Sequence, residues 1–234
     1  PYRWLENEAD PDRQKWIEAQ NALTFAYLDS IPFRKQIKDR LTSVWNYARQ
    51  SAPFIKGGKY FYYANDGLQN QSVLYTTDKP GGNPVLVIDP NSLSTDGTVS
   101  LASIDISPDG KTLAYAISRA GSDWNEIFFR DIVTGKDLPD HLQWVKFSGL
   151  SWYKDGIYYS GYKEPEKGKE LSNKNEYQKV FYHKMTTPQS EDKIVIEDRQ
   201  DATRMFFAGN SDDQHFLYVY EEKEGSLGSR IQIK

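Results

Sequence analysis

A tight acidic or glycine turn recurs along this chain at residues 58, 110, 156 and 213, at intervals of 52, 46 and 57 residues. Each turn feeds a run rich in Tyr and Phe. A polar loop follows, then a second amphipathic run, another turn and, where visible, a further apolar run. Ser107-Pro-Asp-Gly-Lys-Thr-Leu-Ala-Tyr115 and Tyr153-Lys-Asp-Gly-Ile-Tyr-Tyr159 show the same turn feeding the same kind of strand. A unit of about 50 residues with about four strands is the signature of a β-propeller blade. A β-sandwich, the plainer all-β alternative, has closer turn spacing and no period of this length. Composition agrees, because 16 Tyr, 11 Phe and 6 Trp suit a pleated, half-buried surface.

Short β-rich runs are expected at 59–63, 72–76, 85–88, 112–117, 126–132, 157–162, 179–185, 193–196, 216–220 and 230–233. They are separated by turn chemistry such as Gly81-Gly82-Asn83 and Thr134-Gly135. Residues 50–234 then hold roughly three and a half four-stranded blades, with expected bounds 53–100, 101–147, 148–200 and an incomplete 201–234. A propeller needs at least about four blades to close, and an open ring leaves unpaired edges. The sequence is therefore expected to be the front of a longer chain.

The first 47 residues follow a different period. Asp10 before Pro11 supplies a capping oxygen and then a residue that needs no N–H partner, which predicts a helix start. Trp16, Ala19, Leu23 and Tyr27 recur at helical spacing; a second helix opening at Pro32 aligns Phe33, Ile37, Leu41 and Val44. Two such stripes need a partner surface, either each other or a neighbouring domain. The fold class is thus mainly β: two N-terminal helices over 1–47, then the opening part of a propeller over 50–234.

Several functions are disfavoured. A net charge of −4 gives no electrostatic footprint for nucleic acid or an anionic membrane. No apolar run approaches the roughly 18 residues that read as a membrane span. The absence of cysteine rules out a disulfide scaffold, thiolate ligands and a cysteine nucleophile, but suits the cytoplasm as well as a periplasmic or secreted setting. The three histidines, His141 in an expected loop and His183 and His215 in or beside strands, have no partner at metal-ligand spacing, so no metal or cofactor is expected. Gly149-Leu-Ser151-Trp-Tyr153 comes nearest to a serine nucleophile elbow, but lacks the closing glycine and runs into a strand. Asp212-Asp213 and Glu221-Glu222 read as turn and solvated-edge residues. No catalytic residue is assigned. Asn70-Gln-Ser72 forms a glycosylation sequon, relevant only in a secreted eukaryotic protein.

Several long stretches, in order, resemble the prolyl oligopeptidase family of serine peptidases. The opening Pro1-Tyr-Arg-Trp-Leu-Glu6 through Glu18-Ala-Gln-Asn21 is similar to the family's first segment, and Gly67-Leu-Gln-Asn-Gln-Ser-Val-Leu-Tyr75 to its first blade. Asp89-Pro-Asn-Ser-Leu-Ser94, Asp96-Gly-Thr98 and Gly121-Ser-Asp-Trp124 resemble its second blade. Val145-Lys-Phe-Ser148 followed by Trp152 resembles the start of its third.

The resemblance implies a seven-bladed propeller capping a C-terminal α/β-hydrolase domain, which carries the Ser, Asp and His and on which the helices of 1–47 pack. It implies a serine-type endopeptidase that cuts short peptides on the C-terminal side of proline, with the propeller gating access and this part inactive alone. Phe147 would line the pocket for the substrate residue upstream of proline, the alternative being ordinary blade core. Asp123 would lie on a loop reaching the hydrolase interface, the alternative being an ordinary turn role. The expected partners are short proline-containing peptides and the hydrolase domain. Two other readings stay open at this point: a stand-alone peptide- or protein-binding propeller, and an oligopeptidase of a neighbouring subfamily.

Overall fold

The computed structural model describes residues 2–7 and 10–234; Pro1, in the opening motif, lies outside the described residues. Two helices come first, α1 (Pro11–Asp29) and α2 (Arg34–Trp45). Asp10 caps α1 by accepting from the Asp12 N–H at 2.9 Å, with Pro11 as first helical residue. The second helix starts at Arg34, two residues beyond Pro32, and has no side-chain cap. No residue of either helix is buried. Among the described residues, no helix is long and apolar enough to cross a membrane.

Three antiparallel sheets follow. The first contains β1 (Arg49–Gln50), β2 (Phe54–Lys56), β3 (Lys59–Asn65), β4 (Val73–Thr77) and β5 (Val85–Ile88). The second has seven strands in sequence order: β6 (Val99–Ile106), β7 (Thr112–Arg119), β8 (Trp124–Asp131), β9 (Asp137–Tyr153), β10 (Gly156–Gly161), β11 (Lys179–Lys184) and β12 (Lys193–Glu197). The third holds β13 (Arg204–Asn210), β14 (Leu217–Lys223) and β15 (Arg230–Ile233). Antiparallel meanders in series, the last of three strands, with no strand pairing the last to the first, make an open propeller arc among the described residues.

The long sheet is two blades joined by one strand. The first half of β9 pairs with β8 as far as Lys146, and the second half pairs with β10 from Val145 onward. The strand bends between the two, where Trp144 (φ +60°) and Phe147 (φ +51°) take left-handed backbone conformations. His141, expected in a loop, lies within the first half of β9.

Successive side chains point to opposite faces of a strand, so these strands feed two cores at once. From β7, Leu113, Tyr115 and Ile117 face the first sheet with Phe61, Leu74 and Ile88. Ala114 and Ala116 instead join Phe129, Leu142, Trp152 and Ile157 between the two halves of the long sheet. Tyr158 and Val180 meet Phe206 and Val219 of the third sheet. Burial on both faces is why these runs read as nearly continuous apolar segments. Aromatic pairs sit across neighbouring strands, with ring centroids 5.7 Å apart for Tyr115–Phe128 and 5.3 Å for Tyr159–Phe181.

The first strands of successive blades contact one another. The Trp152 N–H donates to Asp105 Oδ2 at 2.8 Å, and its indole N–H to the Asp105 carbonyl at 3.1 Å. Asn210 donates from Nδ2 to Ser151 Oγ at 3.1 Å and to the Trp152 carbonyl at 3.0 Å. At the same end, the Gly57 turn meets the 107–110 turn so closely that a Cβ on Gly57 would fall 2.3 Å from the Asp109 backbone.

Candidate substrate-facing site

The antiparallel course puts the 119–124 turn, the 144–148 bend, the 162–178 loop and the 198–203 connection at one common end of the blades. It is also the end at which α2 runs into β1, which pairs with the last residues of β3. Both sequence-predicted site residues lie there.

Asp123 follows a two-residue turn in which Ala120 and Gly121 both have positive φ, closed by the Ser122 N–H donating to the Arg119 carbonyl at 2.9 Å. Its carboxylate is mostly exposed and lies 3.7 Å from Lys146 Nζ. Phe147 sits on the bend of β9 and is 42% exposed. It is not blade core.

Lys146 links the two residues. It is buried, and its ammonium lies 4.9 Å from the Trp124 ring centroid and 5.3 Å from that of Phe147. A lysine taken out of water loses hydration, which here is replaced by one carboxylate and two aromatic faces. The Trp124 indole N–H donates to the Glu170 carbonyl at 2.7 Å, and its ring meets Trp144 and Tyr162 edge-on at 5.7 and 6.1 Å. Burial pushes the Tyr162 hydroxyl up to about 12, so it stays neutral.

A cavity of about 560 Å³ opens beside this cluster, with Phe147, Tyr162, Ala202 and Met205 forming apolar walls. Lys174, Glu176, Glu222, Lys223 and Glu224 give it a rim of mixed charge. A second cavity of about 550 Å³ adjoins Trp124 and Trp144. Apolar walls with a polar rim can hold a peptide side chain while leaving its backbone hydrated.

Each of the three histidine rings pairs with carboxylates: His141 with Glu126, His183 with Asp140 and Asp192, and His215 with Asp213. No group of three or more such side chains is arranged so that it could hold a metal ion among the described residues.

Sequence reasoning missed Lys146, Trp144 and Gln178, which surround the two residues it named. A lysine between Val145 and Phe147 in an apolar run was a usable signal, since such a charge needs partners. Gln178 gave none, because everything it bonds to lies at least 28 residues away.

Residues 1–230 match the family model described as prolyl oligopeptidase, N-terminal β-propeller domain. The chain belongs to this family. A prolyl endopeptidase of Elizabethkingia meningoseptica is 44% identical over the whole chain, which covers 33% of that relative. A dual function macrocyclase-peptidase of Galerina marginata is 34% identical, with 35% of it covered. The structure of prolyl oligopeptidase B from Galerina marginata, bound to a 35mer hydrolysis and macrocyclization substrate, superposes with a TM-score of 0.85 at 32% identity. The match spans all of this chain and 35% of that one. This propeller chain spans about a third of the length of the curated relatives it matches.

Proposed function

We propose that the chain is the N-terminal portion of a serine-type prolyl oligopeptidase, which hydrolyses short peptides on the C-terminal side of proline. In this reading residues 50–234 are the substrate-gating part of a propeller. Residues 1–47 pack on a C-terminal α/β-hydrolase domain that supplies the Ser, Asp and His. The observation that carries it is a coincidence of place. The bend presenting Phe147, the Lys146–Asp123 pair and the junction with the exposed helices all lie at one end of the blades. A hydrolase domain seated there would cover the helices and face Phe147 together.

Phe147 then supplies an apolar wall for the residue upstream of proline, and Asp123 a carboxylate for a cation of the hydrolase domain or the peptide. An enclosed site at this interface would exclude bulk water, which strengthens the electrostatic stabilisation of an acyl-transfer transition state.

The test is turnover of a proline-containing reporter peptide. The 234-residue chain alone should give none. Addition of the C-terminal portion, or use of the whole protein, should give activity that Phe147→Ala weakens mainly through KM. Turnover by the chain alone overturns the reading. A tight peptide complex with no turnover by the whole protein would instead make it a binding propeller.

A further inference from the structure

Phe147 is not held by strand geometry. It and Trp144 are bulky residues in the left-handed region, where such residues are rarely stable unless their surroundings impose the conformation. The Ser160 N–H donates to Ser148 Oγ at 2.7 Å just beyond the bend, and one buried side chain bonds the Lys146–Phe147 segment itself. Gln178, only 1% exposed, donates from Nε2 to the carbonyls of Lys146 and Phe147, both at 3.2 Å. Its Oε1 accepts from the Phe206 N–H on β13 at 2.7 Å. Turning the amide over would set its oxygen against two carbonyls and its N–H groups against an N–H. The surroundings therefore fix its orientation. Both donors and the acceptor are satisfied, and the neighbouring Tyr177 N–H donates to the Ala202 carbonyl at 2.9 Å.

We infer that Gln178 is a positioning residue, which clamps the Lys146–Phe147 bend to β13 and so sets the distance between Phe147 and the opposite wall formed by Ala202 and Met205. The inference rests on the reading of Phe147 as substrate-facing. Its chemistry suits the task. An aliphatic side chain would leave the buried Lys146 carbonyl and Phe206 N–H, and the part-buried Phe147 carbonyl, without these bonds, and the bend would relax away from β13 to reach water. Glutamate would keep the acceptor for Phe206. Its carboxyl could donate to one carbonyl when protonated, and would repel both when ionised.

The experiment uses the whole protein and two reporter peptides that differ only upstream of proline, one with Gly and one with Phe. Gln178→Leu should raise KM for the Phe peptide about tenfold, with kcat and the Gly peptide changed by no more than about twofold. Gln178→Glu should bind the Phe peptide nearly as wild type at low pH, and lose it as pH rises and the carboxyl ionises. Gln178→Leu should show no such pH difference between peptides. A merely structural role would weaken both peptides by the same factor, in step with the melting temperature. Equal losses on both peptides, while Phe147→Ala still discriminates between them, would overturn the inference. If Phe147→Ala fails to discriminate, the substrate-facing reading falls and takes the positioning role with it. Should Gln178→Leu not fold, the pH-dependent discrimination of Gln178→Glu decides alone.

Discussion

The second helix and the seven-stranded sheet both carry apolar residues at the period their backbones require, while those of α1 are spread around its axis; helices and sheet end in opposite states. Phe129, Leu142 and Ile157 of the sheet are wholly buried, whereas Leu23 and Leu41 of the helices are 70% and 56% exposed. The helices rest on local interactions: the Asp10 cap, the Lys35–Asp39 and Lys15–Asp12 ion pairs and the Gln14–Glu18 hydrogen bond. Such exposed pairs are screened by water and contribute little. The strands rest on two faces of core. The lesson is that periodicity specifies an element, while its stability depends on whether a second surface lies within reach.

The largest expected difference is in the blades. Phe129→Ala should destabilise the chain by about 3–5 kcal/mol, through lost burial and the cavity left between the halves of the long sheet. Denaturant unfolding followed by tryptophan fluorescence would measure it, and a loss comparable to a surface substitution would break the contrast.

The second prediction concerns pH. His183 lies buried on β11 with Nδ1 2.7 Å from Asp192 and Nε2 3.2 Å from Asp140, beneath the Phe129 ring. Tyr159 donates to the other oxygen of Asp192 at 2.6 Å, and the Thr186 N–H donates to Asp140. Gln189 Nε2 reaches the Tyr159 hydroxyl at 3.2 Å. Burial pulls the imidazolium toward neutrality, but its hydrogen bonds and charge interactions with Asp192 and Asp140 outweigh this and raise its pKa. Two carboxylate partners call for two N–H donors, which only the imidazolium has. Because the folded value is raised, the stabilisation is complete below the unfolded value of about 6.5 and is lost as pH rises through the folded value. Melting temperature should therefore fall as pH rises through the raised folded value, and His183→Gln should remove this part of the dependence. An imidazole whose NMR titration matches that of a free histidine would refute the assignment.

The same contrast explains what could be read in advance. Strands with both faces in a core, such as β7, β10 and β11, were legible from their Tyr, Phe, Ile and Leu. The runs at β6, most of β9 and β13 were not, because Ser103, Asp105, Ser151 and Asn210 break the apolar pattern. In the structure Asp105, Ser151 and Asn210 bond the first strand of one blade to the next. His141, read as a loop residue, stacks on Phe128 at 4.4 Å in mid-strand. Glu221, read as a solvated edge, is buried against Arg204. At the candidate site, resemblance supplied Asp123 and Phe147, but Gln178 acts wholly through tertiary contacts that no local window contains. Polar residues that work across blades leave no local period.

The smallest effect is expected in α2, and it sharpens the contrast most. In the chain by itself Leu41→Ala removes a half-exposed side chain and substitutes a good helix former. Stability should therefore change by no more than about 0.5 kcal/mol. If a hydrolase domain covers this face in the whole protein, the same substitution removes a buried leucine and should cost about 2–5 kcal/mol there. Comparing the two unfolding midpoints separates what the helix owes to its own sequence from what it owes to a partner. Equal small effects in both settings would mean that the stripe of Phe33, Ile37, Leu41 and Val44 stays exposed to water. The helices would then lose their place in the proposed domain contact, while the arrangement of Phe147, Lys146 and Gln178 on the blades would be untouched.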